Sequence, residues 1–462
     1  MSQSLSAQPG SPASVKLQVP GPKGKFFWGS LPELRQDMLG LYRSAAREYG
    51  DVVRLRFAGV DTFVFSHPDY FKYVLLDNHR NYRRNQFFNS ILKNFVGINL
   101  FTSDGDDWLS RRRLMQPAFH RQRISGFGEL MTKAVSDMLA RWQAGPEGRI
   151  LEIDQEMMAI TLQVAGQALF SIDLQGEASE LGEAFTALSE YVNYRFGHPF
   201  APPQWLPTRA NRRLLEARRV LDRRIQAMIR DRRQNKEERG DLLDMLMAAR
   251  DADTGQGMND EQLQHEIAVM MFAGHETTAA ALTWAFYLLS QNPPALGTLR
   301  AELDANLGGR VPAMADLPNL PYNRMVIDEA LRLYPPALGV TRQSIAADEV
   351  GGYRIPAGAG VSLIFFNVHG DPRFWDQPER FDPERFTPER SANRPAYAYL
   401  PFGAGPRLCI GNQFALSEAQ LVLAAIAQRF DLTLKPGHPV RPNPLFITRT
   451  SHGLPMTVRR RA

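Results

Sequence analysis

The sequence predicts a mainly α-helical fold with small β-sheets, organised as one domain around a long central helix. Three observations carry this expectation. Long stretches of helical periodicity fill the middle of the chain, the run from Asn259 to about Gln291 is helical without a break, and short strand patterns occur near both ends. Nothing after residue 20 reads as a linker or an internal repeat. Residues 1–20 are therefore expected to form a flexible arm and residues 21–462 a single domain.

In chain order, "LPELRQDMLGLYRSAAREYG" carries a helical pattern ending at Gly50, and "VVRLRFAG" and "VDTFVFS" alternate as the strands of a hairpin. Helices are expected over roughly Asp107 to Met115, Gln122 to Ala144, Asp154 to Leu169, Ala178 to Tyr194 and Arg209 to Asn235. Between the last two, "FGHPFAPPQWLPTRANRR" holds four prolines and aromatic residues, which suits a mobile loop over a cavity or a patch on a membrane surface. The central run would span roughly 50 Å, so it must be a buried strut. Strand patterns return in "EVGGYRIPAGAGVSLIFFN", "LFITRT" and "LPMTVRR".

Composition narrows the function classes. Hydrophobic residues make up 44% and charged residues 22%, enough for a large core and incompatible with general disorder. A net charge of +5, from 54 basic and 49 acidic residues, favours acidic partners but falls well short of a nucleic-acid binder. The single cysteine excludes an internal disulfide and any multi-cysteine zinc or iron–sulfur site, and it points to a reducing compartment. The polar, proline-rich start has neither a signal-peptide apolar region nor the ~20 apolar residues of a membrane span. A soluble, cytoplasmic monomer without a transmembrane anchor is expected.

That cysteine lies in "PFGAGPRLCIGNQF", where Gly403, Gly405 and Pro406 make a tight turn before Cys409 and Gly411 follows it, ahead of the helical stretch "NQFALSEAQLVLAAIAQRF". The sulfur is placed at a helix N-terminus, where unpaired N–H groups and Arg407 favour a thiolate. Read from the residues alone, Cys409 is a nucleophile, a metal ligand or a small buried hydrophobe. Phe402, Gly405, Arg407, Cys409 and Gly411, at these spacings, resemble the haem-binding loop of the cytochrome P450 family at every defined position. The resemblance implies that the Cys409 thiolate is the axial ligand of haem iron, pushing electron density onto it, with Phe402 and the glycines shaping the loop around the sulfur.

Within the central helix, "MFAGHETTAAALTW" carries Gly274, Glu276, Thr277 and Thr278 between apolar flanks. A helical glycine costs about 0.5 to 1 kcal/mol relative to alanine. The Thr277 hydroxyl can bond the Ala273 carbonyl four residues back, so the ladder could open here. Taken alone, Gly-x-x-Thr is as compatible with a solvated helix edge. Ala273-Gly274-His275-Glu276-Thr277-Thr278 also resembles the oxygen-activation motif of the same family. The resemblance implies that Thr277 hydrogen-bonds dioxygen at the haem and that Glu276 relays protons from water. O₂ is then the co-substrate, with two electrons from outside. Ala273 lacks the carboxylate that attaches haem covalently in some relatives, so a non-covalent haem b is implied. His275 is expected to be a structural or surface residue rather than a ligand.

Three further constellations join these. Glu329 and Arg332, at i and i+3 in "DEALRLYPP", face each other on one helix, a pair worth about 0.3 kcal/mol on any exposed surface. By resemblance they join an arginine of a Pro-Glu-Arg-Phe segment in a buried bracing network. Spacing to the cysteine loop selects Arg385 over Arg380. Trp108 and Arg112 share one face of the short helix in "DGDDWLSRRRLMQPAF". The resemblance makes both of them, with Arg407 and Arg342, ligands of the haem propionates, for which a guanidinium suits paired bonds. Arg111, Arg113, Arg121 and Arg123 are expected on the outside, either as a docking surface for an acidic ferredoxin or flavodoxin with its NAD(P)H reductase, or as a solvated charge run.

The implied reading is a haem-thiolate monooxygenase that hydroxylates or epoxidises a lipophilic small molecule. By analogy the pocket is lined by "NQFFNSILKNF", "YVNYRFGHPF", Ala273, Ala337 to Val340 and "LFIT", nearly all apolar, which suits a fatty acid, a terpenoid or a polyketide-like molecule. Two other classes stay open on the residues: a non-catalytic haem protein, and a cysteine-nucleophile enzyme without haem.

Overall fold

The structure is a computed structural model that describes residues 18–461 except 174–177, 199, 236–238, 251–254 and 445. Most of the expected arm, residues 1–17, lies outside the described residues.

The central helix runs from Asp260 to Gln291. Its start is fixed by a reciprocal cap: the Asn259 side chain accepts from the Gln262 N–H and the Gln262 side chain from the Asn259 N–H, both at 2.9 Å. It is apolar nearly all round, and Leu263, Ile267, Leu282, Trp284 and Ala285 have no exposed surface. Such a helix is stable only inside a protein. The helices Ile153–Phe170 and Asn412–Arg429 pack along it, the second of them leading away from the cysteine loop.

The strands are β1 (Val52–Phe57), β2 (Val60–Phe65), β3 (Tyr82–Arg84), β4 (Arg149–Glu152), β5 (Gly339–Ser344), β6 (Asp348–Val350), β7 (Tyr353–Ile355), β8 (Gly360–Ile364), β9 (Phe430–Leu434), β10 (Pro442–Pro444), β11 (Thr448–Thr450) and β12 (Pro455–Arg460). The largest sheet has the order β1-β2-β8-β5-β3. Its first two strands form the expected antiparallel hairpin, β2 runs parallel to β8, and β3 closes the edge against β5. Strands from the two ends of the chain are thus stitched into one sheet. A second sheet, β4-β12-β9, ties the C-terminal strand to the middle of the chain.

Two expected helices are each divided in two. The pattern before Gly50 forms Leu31–Gln36 and Met38–Tyr49, because the Asp37 side chain accepts from the Gly40 N–H at 2.9 Å and caps the second helix. The stretch before Ala144 forms Arg121–Gly126 and Gly128–Ala144, broken at Phe127 between two glycines. A side chain at Gly128 would meet Met314 at 2.4 Å, so the second helix begins where another segment presses against its backbone.

Candidate active site

The cysteine loop is fixed by backbone geometry. Gly405, at φ +69°, opens the short helical turn Gly405–Arg407, and a Cβ there would lie 1.9 Å from the Leu75 carbonyl oxygen. No other residue fits that position. The Cys409 N–H donates to the Phe402 carbonyl at 3.1 Å, closing the loop. Cys409 presents accessible surface, yet it is surrounded by protein: burial pushes its thiol up, against the Gly411 N–H and the Arg112 charge, which pull it down. The sulfur therefore faces an internal space, not the outer surface.

Ala273 presents accessible surface and Thr277 is half-buried, one turn apart on the central helix. The Thr277 hydroxyl donates to the Ala273 carbonyl at 2.9 Å, and the helix stays unbroken through this turn. Glu276 points elsewhere. It has no exposed surface, accepts from the Ser189 hydroxyl at 2.8 and 2.9 Å, and forms an ion pair with Arg449 of β11. At Gly274 a Cβ would make only ordinary contacts, 3.6 Å from Ala165 and 3.8 Å from Leu169. His275 is buried with one ring nitrogen 2.6 Å from the Met271 carbonyl, and burial pushes it down to about 4.

A cluster of arginines stands beside the loop. Arg407 lies over the Trp108 ring, 4.4 Å from its centre, and pairs with Asp104. Arg112 donates to the Leu408 carbonyl at 3.1 Å. Arg342 on β5 is buried and its guanidinium is pushed down to about 10, by burial and by Arg407. Arg84 on β3 is its register partner. Burial and the charges of Arg407 and Arg342 also hold Arg84 well below its ordinary value, and its Nε is buried without a partner. One carboxylate, Asp104, faces Arg84, Arg342 and Arg407. Sequence reasoning missed Arg84: a cation in a three-residue strand has no local pattern to mark it.

Behind the loop, Arg332 pairs with both oxygens of Glu329 at 2.6 and 2.8 Å, and Arg385 Nε reaches the same carboxylate at 3.2 Å. All three are buried. Arg380 contributes only its carbonyl, which accepts from Arg332 and Arg385.

A cytochrome P450 family model matches residues 19–455. The chain belongs to the cytochrome P450 family. Cyclooctatin synthase of Streptomyces melanosporofaciens is 39% identical over 398 residues, covering 86% of each chain. Cyclooctat-9-en-7-ol 5-monooxygenase of the same organism is 35% identical, covering 88% of this chain and 89% of its own. Pentalenene oxygenase of Streptomyces avermitilis is 32% identical, with 87% and 88% covered. Among solved structures, the cytochrome P450DA heme domain superposes with a TM-score of 0.88 at 26% identity, covering 97% of this chain and 99% of that one.

This P450 is a monooxygenase, and its family uses haem and O₂. The residues present fit the group. Clustered, partly desolvated guanidinium groups with one carboxylate among them call for further negative charge, and the Arg84 Nε lacks an acceptor. A haem carries two carboxylates. Arg84, Arg112, Arg342, Arg407 and Trp108 are the donors that would take them, and Cys409, the single cysteine of the sequence, is the only residue that could supply a thiolate.

One expectation for this P450 is corrected. Arg111 is not on the outside: it is buried, bonding Glu266 at 2.6 Å and Asp107 at 2.9 Å. The buried Glu266 carboxylate also accepts from the Leu100 N–H at 3.0 Å, so Arg111 completes an internal charge pair. Adjacent helical residues are only 100° apart, and Arg111 and Arg112 both fall within the wide inward face of this helix. Arg113 and Arg123 are exposed, and the Arg121 side chain lies outside the described residues.

Three of the expected pocket segments converge through phenylalanines. Phe88 packs on Phe196 with ring centres 4.5 Å apart, and Phe446 lies 6.4 Å from Phe196, 5.9 Å from Phe272 and 6.3 Å from Phe101. Ala337 presents accessible surface. Leu445 and the Phe95 side chain lie outside the described residues.

Proposed function

We propose that this P450 hydroxylates a cyclic terpenoid, with a non-covalent haem b ligated by the Cys409 thiolate. The observation that supports the haem placement is the excess of guanidinium charge beside the cysteine loop, matched to the two carboxylates of that group. When bound, thiolate-ligated haem supplies reductive activation of O₂. The relatives named for cyclooctatin, cyclooctat-9-en-7-ol and pentalenene support a terpenoid over a fatty acid, and a phenylalanine-rich wall suits an apolar molecule of that kind.

In this reading Thr277 donates or accepts a proton at the reacting face, its hydroxyl otherwise parked on the Ala273 carbonyl. Glu276 supplies protons from behind. Ser189 and Arg449 hold its carboxylate in place, so proton relay needs a rotation of Glu276 or a water between it and Thr277. Glu329, Arg332 and Arg385 brace the segment behind the loop. Electrons come from a ferredoxin or flavodoxin with its NAD(P)H reductase, in the cytoplasm and to a monomer. A groove of about 620 Å³ lined by Arg113, Gln116, Pro117, His120, Gln122 and Arg123 offers exposed positive charge to such an acidic partner.

The test is spectroscopic. The reduced protein with carbon monoxide should show the thiolate-type Soret band, and Cys409→Ala should abolish it. A polycyclic terpene hydrocarbon should shift the spin state of the oxidised protein at lower concentration than a long-chain fatty acid. A preference for the fatty acid would overturn the terpenoid assignment.

A further inference from the structure

Beside the cysteine loop the chain makes a π-helical turn, Tyr73–Asp77. The Asn78 N–H donates to the Tyr73 carbonyl at 2.8 Å, five residues back, and the Lys72 ammonium meets the Asp77 carboxylate at 2.6 Å over the same spacing. Such turns are rare, and they occur frequently at functional sites. One carbonyl of this turn bears directly on the loop. A Cβ on Gly405 would lie 1.9 Å from the Leu75 oxygen, so that carbonyl stands against the backbone that begins the approach to Cys409. Where Leu75 stands therefore decides where Gly405 can stand.

A carboxylate from the other end of the chain holds the turn. Asp348, the first residue of β6, accepts at one oxygen from the Tyr73 hydroxyl at 2.9 Å and the Glu349 N–H at 2.8 Å. Its other oxygen accepts from the Tyr82 hydroxyl at 2.7 Å and from the side-chain amides of Asn78 at 2.9 Å and Asn81 at 3.5 Å. The Asn78 amide also donates to the Tyr73 hydroxyl at 2.9 Å, so the residues that open and follow the π turn are tied to each other and to the acid. Tyr82 begins β3, the strand that carries Arg84. Burial would raise the Asp348 carboxyl, but the bonds from Tyr82, the Glu349 N–H, Tyr73 and Asn81 outweigh it and hold the group below the usual carboxylate range. An acid that only fastened its own hairpin would bond within β6 and β7. Four of these five donors come instead from Tyr73, Asn78, Asn81 and Tyr82.

We propose that Asp348 is a positioning residue for Cys409, acting through the π turn: it fixes the shape of that turn, the Leu75 carbonyl fixes Gly405, and Gly405 fixes the loop that presents the sulfur to haem iron. The acid touches neither the cysteine nor the haem site. Its effect is on how firmly the thiolate is held in place. This role rests on the assignment of Cys409 as the haem ligand and is independent of the substrate.

Two variants of the holoprotein test this. D348N keeps the shape of the side chain and gives up its charge; Y73F removes one donor and leaves the carboxylate. With the protein reduced and bound to carbon monoxide in mild urea, the thiolate-type Soret band should decay roughly tenfold faster in D348N, the worth of one charge-assisted bond, and faster to a smaller degree in Y73F. Amide hydrogen exchange over residues 402–411 should quicken in both, while the helix Ile153–Phe170 exchanges as in the parent. Faster exchange confined to β6, β7 and the π turn, with the cysteine loop and the Soret decay unchanged, would overturn the proposal, since Asp348 would then only fasten its hairpin. So would exchange that speeds uniformly over the whole domain in both variants. Where D348N yields no folded holoprotein, Y73F decides alone. The ligand assignment fails separately, by Cys409→Ala retaining the band.

Discussion

Arg84 and Arg342 are directly opposed across the β3–β5 ladder, two guanidinium groups in one register pair. Like charges directly opposite destabilise a sheet unless an anion is shared between them. Replacing either with leucine should therefore weaken haem retention about tenfold to a hundredfold, the worth of one or two charge-assisted bonds. The same change should raise the thermal stability of the haem-free protein. Haem transfer to an excess of scavenger apoprotein measures the first effect and calorimetry the second; unchanged transfer rates would remove Arg84 from the site.

Glu329 anchors two arginines with no access to water. Glu329→Gln would leave both guanidinium groups buried without a counter-charge, at a cost of about 3 to 5 kcal/mol. Denaturant unfolding should show a loss of that size together with release of haem. A loss no larger than that of a surface pair, below about 1 kcal/mol, would contradict the buried network.

Thr277→Ala removes the hydroxyl that bonds the Ala273 carbonyl while leaving the helix and its packing intact. Haem content and substrate-induced spectral shift should persist, and product formed per NAD(P)H should fall as electrons are diverted to peroxide or water. Thr277→Ser should restore much of the coupling. Equal product yield in the alanine variant would sink the proton-delivery role.

Arg449→Leu leaves the Glu276 carboxylate buried with only Ser189. The expected result is a destabilisation of about 3 to 5 kcal/mol and a solvent isotope effect on turnover larger than in the parent. Glu276→Gln combined with Arg449→Leu should recover most of the stability without recovering the coupling. Stability that stays low in the double variant would show that Arg449 acts through packing alone.

His275 and His369 are buried and neutral, pushed down by burial to about 4 and about 3 from the ordinary 6.5. Each gains a proton on unfolding, so their contribution is fully present above pH 6.5 and is lost as pH falls toward 4 and 3. Between pH 7 and 5 the loss is about 2 kcal/mol for each histidine. Urea unfolding at the two pH values checks this, and His275→Gln should flatten the dependence.

Much of this was legible in the sequence. The 3.6-residue pattern is strong where a helix is long, so the bounds of Arg209–Asn235 and of the central helix were readable almost to the residue. It is weak where a helix is interrupted, and neither the Asp37 cap nor the break at Phe127 interrupts the apolar pattern. Cys409, Gly405 and the Glu329–Arg332 pair were readable because their geometry is local: one turn, one loop, one helical step.

The sequence by itself determined the helices, the cysteine loop and the polar turn of the central helix, since each depends on neighbours within a few residues. Tertiary structure alone decided which distant charges meet. It set Arg84 against Arg342, drew Arg111 inward to Glu266, and turned Glu276 toward Ser189 and Arg449. A charge in a strand or on a helix has no preferred partner until packing removes water from around it, and only then does an opposing group become necessary.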